Sequence, residues 1–409
     1  MPVGALSRAA AGVVGAGDVS RAEIWERLDL VADQRSPRGL VYPLRCLAAV
    51  WLCSLTAAGH DRVSAVRGWL RRTSDAERAR LRLPWDPFDG YRLPSAATIH
   101  RFLAAVDDGE LAVALLDPPL DPNPPVEEEA CGQQEPAAAQ ADAGSRGRVV
   151  PVSAVAVDGK TSRHAKRADG SRVHLVGAVS HGDGRLLGQV EVDAKTNETT
   201  VFRRLLRPLD LTNVLVTADA LHTVRANLDW LVTAKNAHYL AVIKKNQPTM
   251  WAFLAGLPWA EIPTGATTRD HGHGRDETRG IKAATVAHLD FPHAAQAIRL
   301  HRWRRVKGRP ATRETVYGIT SLTFEQAGAG LLATFARQHW HIEDRQHYVR
   351  DVTFGEDAST SRTGRAPAAL AIFRGAVITA IRAAGYRYIP EGRLDHVTAT
   401  AALNLHGFP

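Results

Sequence analysis

Three carboxylates, far apart in the chain, sit in surroundings that suit metal-dependent chemistry. Asp158 ends the apolar run of Val155-Ala156-Val157-Asp158-Gly159-Lys160-Thr161, and Asp219 ends that of Val214-Leu215-Val216-Thr217-Ala218-Asp219-Ala220. Small and β-branched apolar runs of this kind predict buried strands, here with an aspartate at each C-terminal tip. Sites in open α/β sheets lie along that edge. Glu343 lies in His339-Trp340-His341-Ile342-Glu343, inside a stretch, 324–348, that reads as helix. Together the three make an all-oxygen, triply negative cluster, which favours Mg²⁺ or Mn²⁺ over zinc. Two such ions, about 4 Å apart, activate an attacking water or 3′-hydroxyl and stabilise the leaving oxygen in phosphoryl transfer. An aspartate after a strand is also a common turn or cap residue, so neither one carries the reading alone. The ordered trio carries it, because unpaired carboxylates gathered in a fold repel each other unless a cation joins them.

Other polar residues cluster near these acids in sequence. His339, His347 and Arg350 fall on the face of Glu343 by helical spacing. The expectation is Glu343 on metal, with the histidines and Arg350 facing DNA phosphates; a zinc set of His339, Glu343 and His347 is the competing reading. Trp340 is expected in the core. Lys160, close after Asp158 in the first motif, reads as a phosphate contact or a solvated lysine. Lys244-Lys245-Asn246-Gln247 follows a predicted strand at the same sheet edge, which suits phosphate contacts. Arg302, Arg304, Arg305, Lys307 and Arg309, with Trp303 interleaved, form the densest basic run, suited to a DNA backbone and an unstacked base. A solvated strand face with one packed Trp is the plainer reading. His271-Gly272-His273-Gly274-Arg275 lacks the further ligands a zinc site needs.

The elements that must position these groups change character along the chain. Ser20-Arg21-Ala22-Glu23 reads as a capping box before Ile24, Leu28 and Val31 on one helix face. Leu44 to Ala57 is apolar nearly all round, hence a buried helix. Val63 to Arg72 turns Trp69 and Leu70 inward. Ser95 is the expected cap of a helix to Val106 with Ile99, Phe102, Leu103 and Val106 inward. The pair of helices ending there offers a helix-turn-helix reading, although the intervening segment is long for that turn. The expected organisation is a flexible N-terminus over 1–19, an all-helical, DNA-binding domain over 20–116, and an acidic Pro/Ala-rich linker over 117–148. Residues 149–247 follow as strands and helices of a mixed sheet, 248–322 as a β-rich insertion, and 323–409 as the helices that complete the sheet domain.

Length and composition bound the rest. A chain of 409 residues buries a large core. No apolar stretch reads as long enough to cross a bilayer, the longest being Cys46 to Ala58. The first residues do not read as a signal peptide, so a cytoplasmic, nucleoid-associated protein without a membrane partner is expected. The net charge of +8, mostly arginine, suits a polyanion. It also suits genome base composition alone. Cys46, Cys53 and Cys131 form no metal pair; the first two, seven residues apart and so on one helix face, read as core in a reducing compartment.

These motifs, in this order, resemble the DDE transposases of bacterial insertion sequences, more narrowly the H-repeat-associated group. The resemblance runs from Asp158-Gly159-Lys160 through His174-Leu175-Val176, Lys195-Thr196-Asn197-Glu198, Thr217-Ala218-Asp219-Ala220, Lys244-Lys245-Asn246-Gln247 and His273-Gly274-Arg275. It continues in Arg337-Gln338-His339-Trp340-His341-Ile342-Glu343-Asp344, Asp351-Val352-Thr353-Phe354 and Glu356-Asp357. The first helices, including Pro94-Ser95-Ala96-Ala97-Thr98-Ile99-His100-Arg101, are similar to the module that accompanies such domains. The resemblance implies an α/β, RNase-H-like fold with a metal triad of Asp158, Asp219 and Glu343 and two Mg²⁺ or Mn²⁺ ions. It also implies double-stranded DNA as partner, at terminal inverted repeats and target, and a homodimer or larger assembly. Lys160, Lys244, Lys245, Asn246, Arg275, Arg302, Trp303, Arg305 and Arg350 are the expected DNA contacts. Arg350 takes the lysine position of the family's Tyr-Arg-Glu-Lys pattern, whose tyrosine and arginine are absent in register. A catalytically silent DNA-binding descendant is the alternative, and a nuclease without strand transfer a third reading.

Overall fold

The computed structural model describes residues 24–38, 40–116, 153–192, 198–272, 274–286 and 289–409. The first part is helical: α1 (24–29), α2 (Leu44–Thr56), α3 (Val63–Arg71), α4 (Asp75–Arg80), α5 (Ala96–Ala105) and α6 (Asp108–Leu116). Ser95 caps α5 by accepting from Thr98 N–H, and Ile99, Phe102, Leu103 and Val106 are buried beneath it, as their spacing predicts. A short hairpin of β1 (Trp85–Asp86) and β2 (Gly90–Tyr91) interrupts the helices, which the sequence did not announce.

Nine strands form one mixed sheet. They are β3 (Ala154–Lys166), β4 (Arg172–Ser180), β5 (Leu186–Glu191), β6 (Leu215–Ala218), β7 (His238–Ile243), β8 (Ala266–Gly272), β9 (Arg275–Thr285), β10 (Gln296–Val306) and β11 (Thr312–Thr320). Their order is β5-β4-β3-β6-β7-β11-β10-β9-β8. β3, β4 and β5 pair antiparallel, while β3, β6 and β7 run parallel. The strands expected as an insertion do not make a sheet of their own: β11 pairs with β7, so β8–β11 prolong the same sheet. The hairpin expected between 173 and 192 is β4–β5, and the one helix expected over 324–348 is interrupted, as described below.

Alternation along the strands sorts the two faces. Val155, Val157, Val216 and Ala218 pack under α7 (Glu198–Leu206), α8 (Arg225–Lys235) and α9 (Pro248–Gly256). Ala154, Leu215, Leu240, Ile281 and Ile298 pack on the opposite face, under α10 (Ala329–Gln338). Nearer β4 and β5 that face is covered by α12 (Ala366–Ala383), whose core is continuous with the N-terminal helices and with α13 (Ile389–Asp395) and α14 (Ala399–Leu405). The first helices therefore share a core with the C-terminal ones.

α12 corrects one expectation. At 18 residues and mean hydropathy 1.4, it is long and apolar enough to cross a membrane, yet 78% of it is buried inside the fold. A helix apolar all round is what a central position demands. Cys46 and Cys53 are buried on α2, as expected; Cys131 lies outside the described residues.

Candidate active site

Asp158 and Asp219 meet through strand register. Val157 pairs with Ala218 across the parallel β3–β6 ladder, so the next residue of each strand is an aspartate. Asp158 is not at a strand tip. β3 continues to Lys166 alongside β4, and Asp158 sits where the parallel neighbour β6 stops. Alternation puts Asp158 in line with Ala154 and Ala156, and Asp219 in line with Leu215 and Thr217, on the α10 face. The Thr217 hydroxyl lies 2.8 Å from His181 Nε2 and 2.9 Å from His339 Nδ1, which ties that face to the end of α10.

The loop after Asp219 is held from three sides. Asp219 Oδ1 accepts from Leu221 N–H at 2.8 Å and from His222 N–H at 3.4 Å. Thr223 Oγ1 lies within hydrogen-bonding distance of the carbonyls of Asp219, 3.0 Å, and Val242, 2.9 Å. Asn246 donates to Ala220 O at 3.0 Å and Gln247 to Thr223 O at 2.6 Å. Asn246, expected on DNA, thus also fixes the turn that carries Asp219.

Glu343 stands on a π-helical segment, α10 giving way to Ile342–His347 and then to α11 (Tyr348–Val352). Tyr348 N–H donates to Glu343 O, a five-residue step. Wide turns of this kind are rare and concentrate at functional sites; apolar spacing carries no mark of one. The segment is anchored to the β4–β5 turn. His341 Nδ1 donates to His181 O at 3.0 Å, Arg345 to Gly182 O at 2.5 Å, and Gln346 to Gly184 O at 2.7 Å.

Asp158, Glu343 and His347 each offer a ligand atom within 4.8 Å of the other two. His347 Nδ1 is 3.3 Å from Glu343 Oε2 and 3.9 Å from Asp158 Oδ2. Asp219 is outside this tight group, although its charge reaches Asp158. Burial, with the neighbouring charges of Glu343 and Asp219, pushes Asp158 up to about 7. The neighbouring His347, 3.3 Å away, pulls the half-exposed Glu343 down against a smaller desolvation penalty. The proton belongs on Asp158, the more enclosed of the two carboxyls. Burial pushes the His347 and His339 imidazoles down, His339 to about 4. A carboxylate held partly protonated beside two others is a site short of positive charge, and its oxygen-rich donors fit Mg²⁺ or Mn²⁺. The zinc set of His339, Glu343 and His347 is not assembled: His339 Nδ1 is turned to Thr217.

Several expected DNA contacts lie elsewhere. Arg350 does not face solvent. It is 2% exposed and pairs with Glu356 through Nε–Oε2 at 2.8 Å and Nη2–Oε1 at 2.6 Å, with a third bond to Gln189 at 3.1 Å. Arg374 joins Glu356 at 3.0 Å. A guanidinium buried this way is a structural charge, because removal from water demands a partner. Lys160 is likewise committed: it pairs with Asp351 at 2.6 Å and lies 3.9 Å from Asp357. Arg275 and Arg302 converge on the buried Glu277, Arg302 at 2.9 Å. Lys244, Lys245, Asn246 and Arg305 are exposed, Lys245 over the Trp251 ring at 5.4 Å, and Trp303 is half-buried. Trp340, expected in the core, is 62% exposed. His273 lies outside the described residues. Sequence reasoning missed Gln346 and Arg374 and gave Glu356, quoted only within a matching motif, no role; their partners are brought near by packing.

Comparison with known proteins follows from this geometry. YncI of Escherichia coli O157:H7, provisionally named a transposase, is 32% identical over 224 residues, 52% of this chain and 57% of its own. YhhI of Escherichia coli strain K12, provisionally named an H repeat-associated transposase, is 27% identical over 230 residues, 52% of this chain and 59% of its own. The chain thus spans less than two thirds of these relatives. A piggyBac transposase, solved by cryo-EM as a synaptic complex with hairpin DNA, aligns over 95% of this chain and 78% of that one at 10% identity and a TM-score of 0.39. The profile of DDE_Tnp_1-associated domains matches residues 25–117. The profile described as Transposase DDE domain matches residues 152–379, more than half of the chain, and the protein belongs to that transposase family.

Proposed function

We propose that the protein cuts and joins DNA strands at the ends of a mobile element, with Asp158, Asp219 and Glu343 as its metal-binding acids. The observation that carries this reading is the convergence of Asp158, Glu343 and His347, whose ligand atoms lie within 4.8 Å of one another, with Asp158 raised to about 7 beside Asp219. Carboxylates gathered this closely, one of them held partly protonated, suit divalent metal. Cations bound there supply charge stabilisation to the attacking and leaving oxygens of an in-line phosphoryl transfer. The chain's own part is positional. The β3–β6 register aligns the two aspartates, the 220–223 loop fixes one of them, and the π-segment brings Glu343 against the other.

The sheet supports an RNase-H-like reading of the fold: three antiparallel strands, β5-β4-β3, are followed by β6 and β7 parallel to β3. Exposed Lys244, Lys245 and Arg305 are suited to the phosphates of double-stranded DNA, at terminal repeats and target. The protein works as a homodimer or larger assembly on two element ends. The test is a gel assay on duplexes carrying the DNA that flanks the coding region, with Mg²⁺ or Mn²⁺. Cleavage and joining support the reading. Binding without cleavage points to a silent descendant, and cleavage without joining of pre-cut ends points to a nuclease.

A further inference from the structure

We propose that His347 is a direct nitrogen ligand of a divalent cation at this site, so that the cage is mixed carboxylate and imidazole. The inference rests on the metal-dependent reading above and adds a ligand outside the three acids. Its basis is donor spacing. Nδ1 lies 3.3 Å from Glu343 Oε2 and 3.9 Å from Asp158 Oδ2, and the three donors fall within 4.8 Å of each other. Ligands sharing one ion at bond lengths of about 2.0–2.3 Å sit about 3–4.5 Å apart. This trio takes up one ion with little movement.

Asp219 does not belong to this trio, and its Oδ1 already accepts from the amides of Leu221 and His222. Nor do the neighbouring imidazoles: His339 Nδ1 faces Thr217, and His341 Nδ1 faces the His181 carbonyl. The His347 ring is 8% exposed. Its segment is pinned by Arg345 and Gln346 before it and by Arg350 after it. A buried ring on an anchored backbone is preorganised, which a ligand requires. Imidazole suits later first-row metals better than Mg²⁺. The donor set therefore shifts the site's preference toward Mn²⁺ relative to a purely carboxylate cage.

The experiment uses the full chain with Mn²⁺ alone, read by pulsed electron paramagnetic resonance. The expected spectrum carries a coupling to ¹⁴N that changes on ¹⁵N-histidine labelling and vanishes in His347→Gln. In that variant Mn²⁺ affinity falls at least about tenfold, and Mg²⁺ affinity falls less. The labelled wild type needs no substitution, so misfolding of the variant does not spoil the test. An oxygen-only spectrum, or a ¹⁴N coupling that persists in His347→Gln, overturns the proposal. Asp158→Asn separates the two readings. If it abolishes Mn²⁺ binding while the wild type shows oxygen alone, only the His347 ligation falls; if it leaves Mn²⁺ affinity unchanged, the carboxylate site itself falls.

Discussion

Arg350 clasps Glu356 through two parallel hydrogen bonds, 2.8 and 2.6 Å long, with both side chains almost wholly out of water. The pair stands at the end of the π-segment and, through Gln189 and Arg374, joins α11 to β5 and α12. Arg350→Ala leaves Glu356 with one guanidinium. It is expected to cost about 3–5 kcal/mol, the usual loss when one partner of a buried pair is removed. Denaturant unfolding measures this. A change below about 1 kcal/mol, with weaker DNA binding instead, would return Arg350 to the surface role its spacing suggested.

Glu356 also sets an acid limit. Burial alone would raise its carboxyl, but Arg350 and Arg374 outweigh that and hold it down at about 2. A depressed carboxylate contributes stability that is complete above its unfolded value of about 4.5 and is lost as pH falls toward 2. Glu356→Gln is therefore expected to flatten the stability profile between about pH 4.5 and 2, read as the thermal midpoint across that window. A profile as steep as wild type would remove Glu356 from the account.

Asp158 predicts the opposite sign. Its folded value of about 7 exceeds the ordinary 3.8, so the metal-free protein loses stability as pH rises between them. A cation competes with that proton. The rise in midpoint caused by Mg²⁺ should be larger at pH 8 than at pH 5.5, where proton competition weakens binding about thirtyfold. Equal rises at both pH values would show that Asp158 is not the group the metal displaces a proton from.

Gly184 is the hinge of the β4–β5 turn and has φ +66. A Cβ there would lie 2.8 Å from Arg345 Cδ and from Arg382 Nη1. Gly184→Ala is expected to cost about 2 kcal/mol from backbone strain and crowding. It should also lower metal affinity, since Gly184 O receives Gln346 and Arg382. Calorimetry of both unfolding and Mn²⁺ binding checks the pair of effects; lost stability with intact metal binding would uncouple the turn from Glu343.

The exposed cations should behave differently. Lys244→Ala and Arg305→Ala are expected to leave stability within about 0.5 kcal/mol. Each should reduce the salt slope of duplex binding by about 1. Lys160→Ala should instead lower stability, because its partners are Asp351 and Asp357. Unchanged salt slopes in both exposed variants would move the DNA path elsewhere.

The sequence made the acids and most strands legible, because apolar runs ending in aspartate and helical spacing are local patterns. It could not show that β3 runs on past Asp158, since that depends on β4 continuing to pair with it. Nor could it show β8–β11 prolonging the main sheet, which the β7–β11 pairing decides. Arg350 and Lys160 read as surface cations, because their carboxylate partners Glu356, Asp351 and Asp357 are brought near only by packing. Trp340, expected in the core, lies outside it in the break between α10 and the π-segment. The π-turn is flanked by the long-range contacts of Arg345, Gln346 and Arg350, and no residue type announces it.

The most direct measurement is Mg²⁺-dependent cleavage of end-bearing duplex by Asp158→Asn, Asp219→Asn and Glu343→Gln, with DNA affinity measured alongside. The account predicts that each substitution abolishes cleavage while affinity stays within a few-fold of wild type. Full cleavage by any one of the three would contradict it.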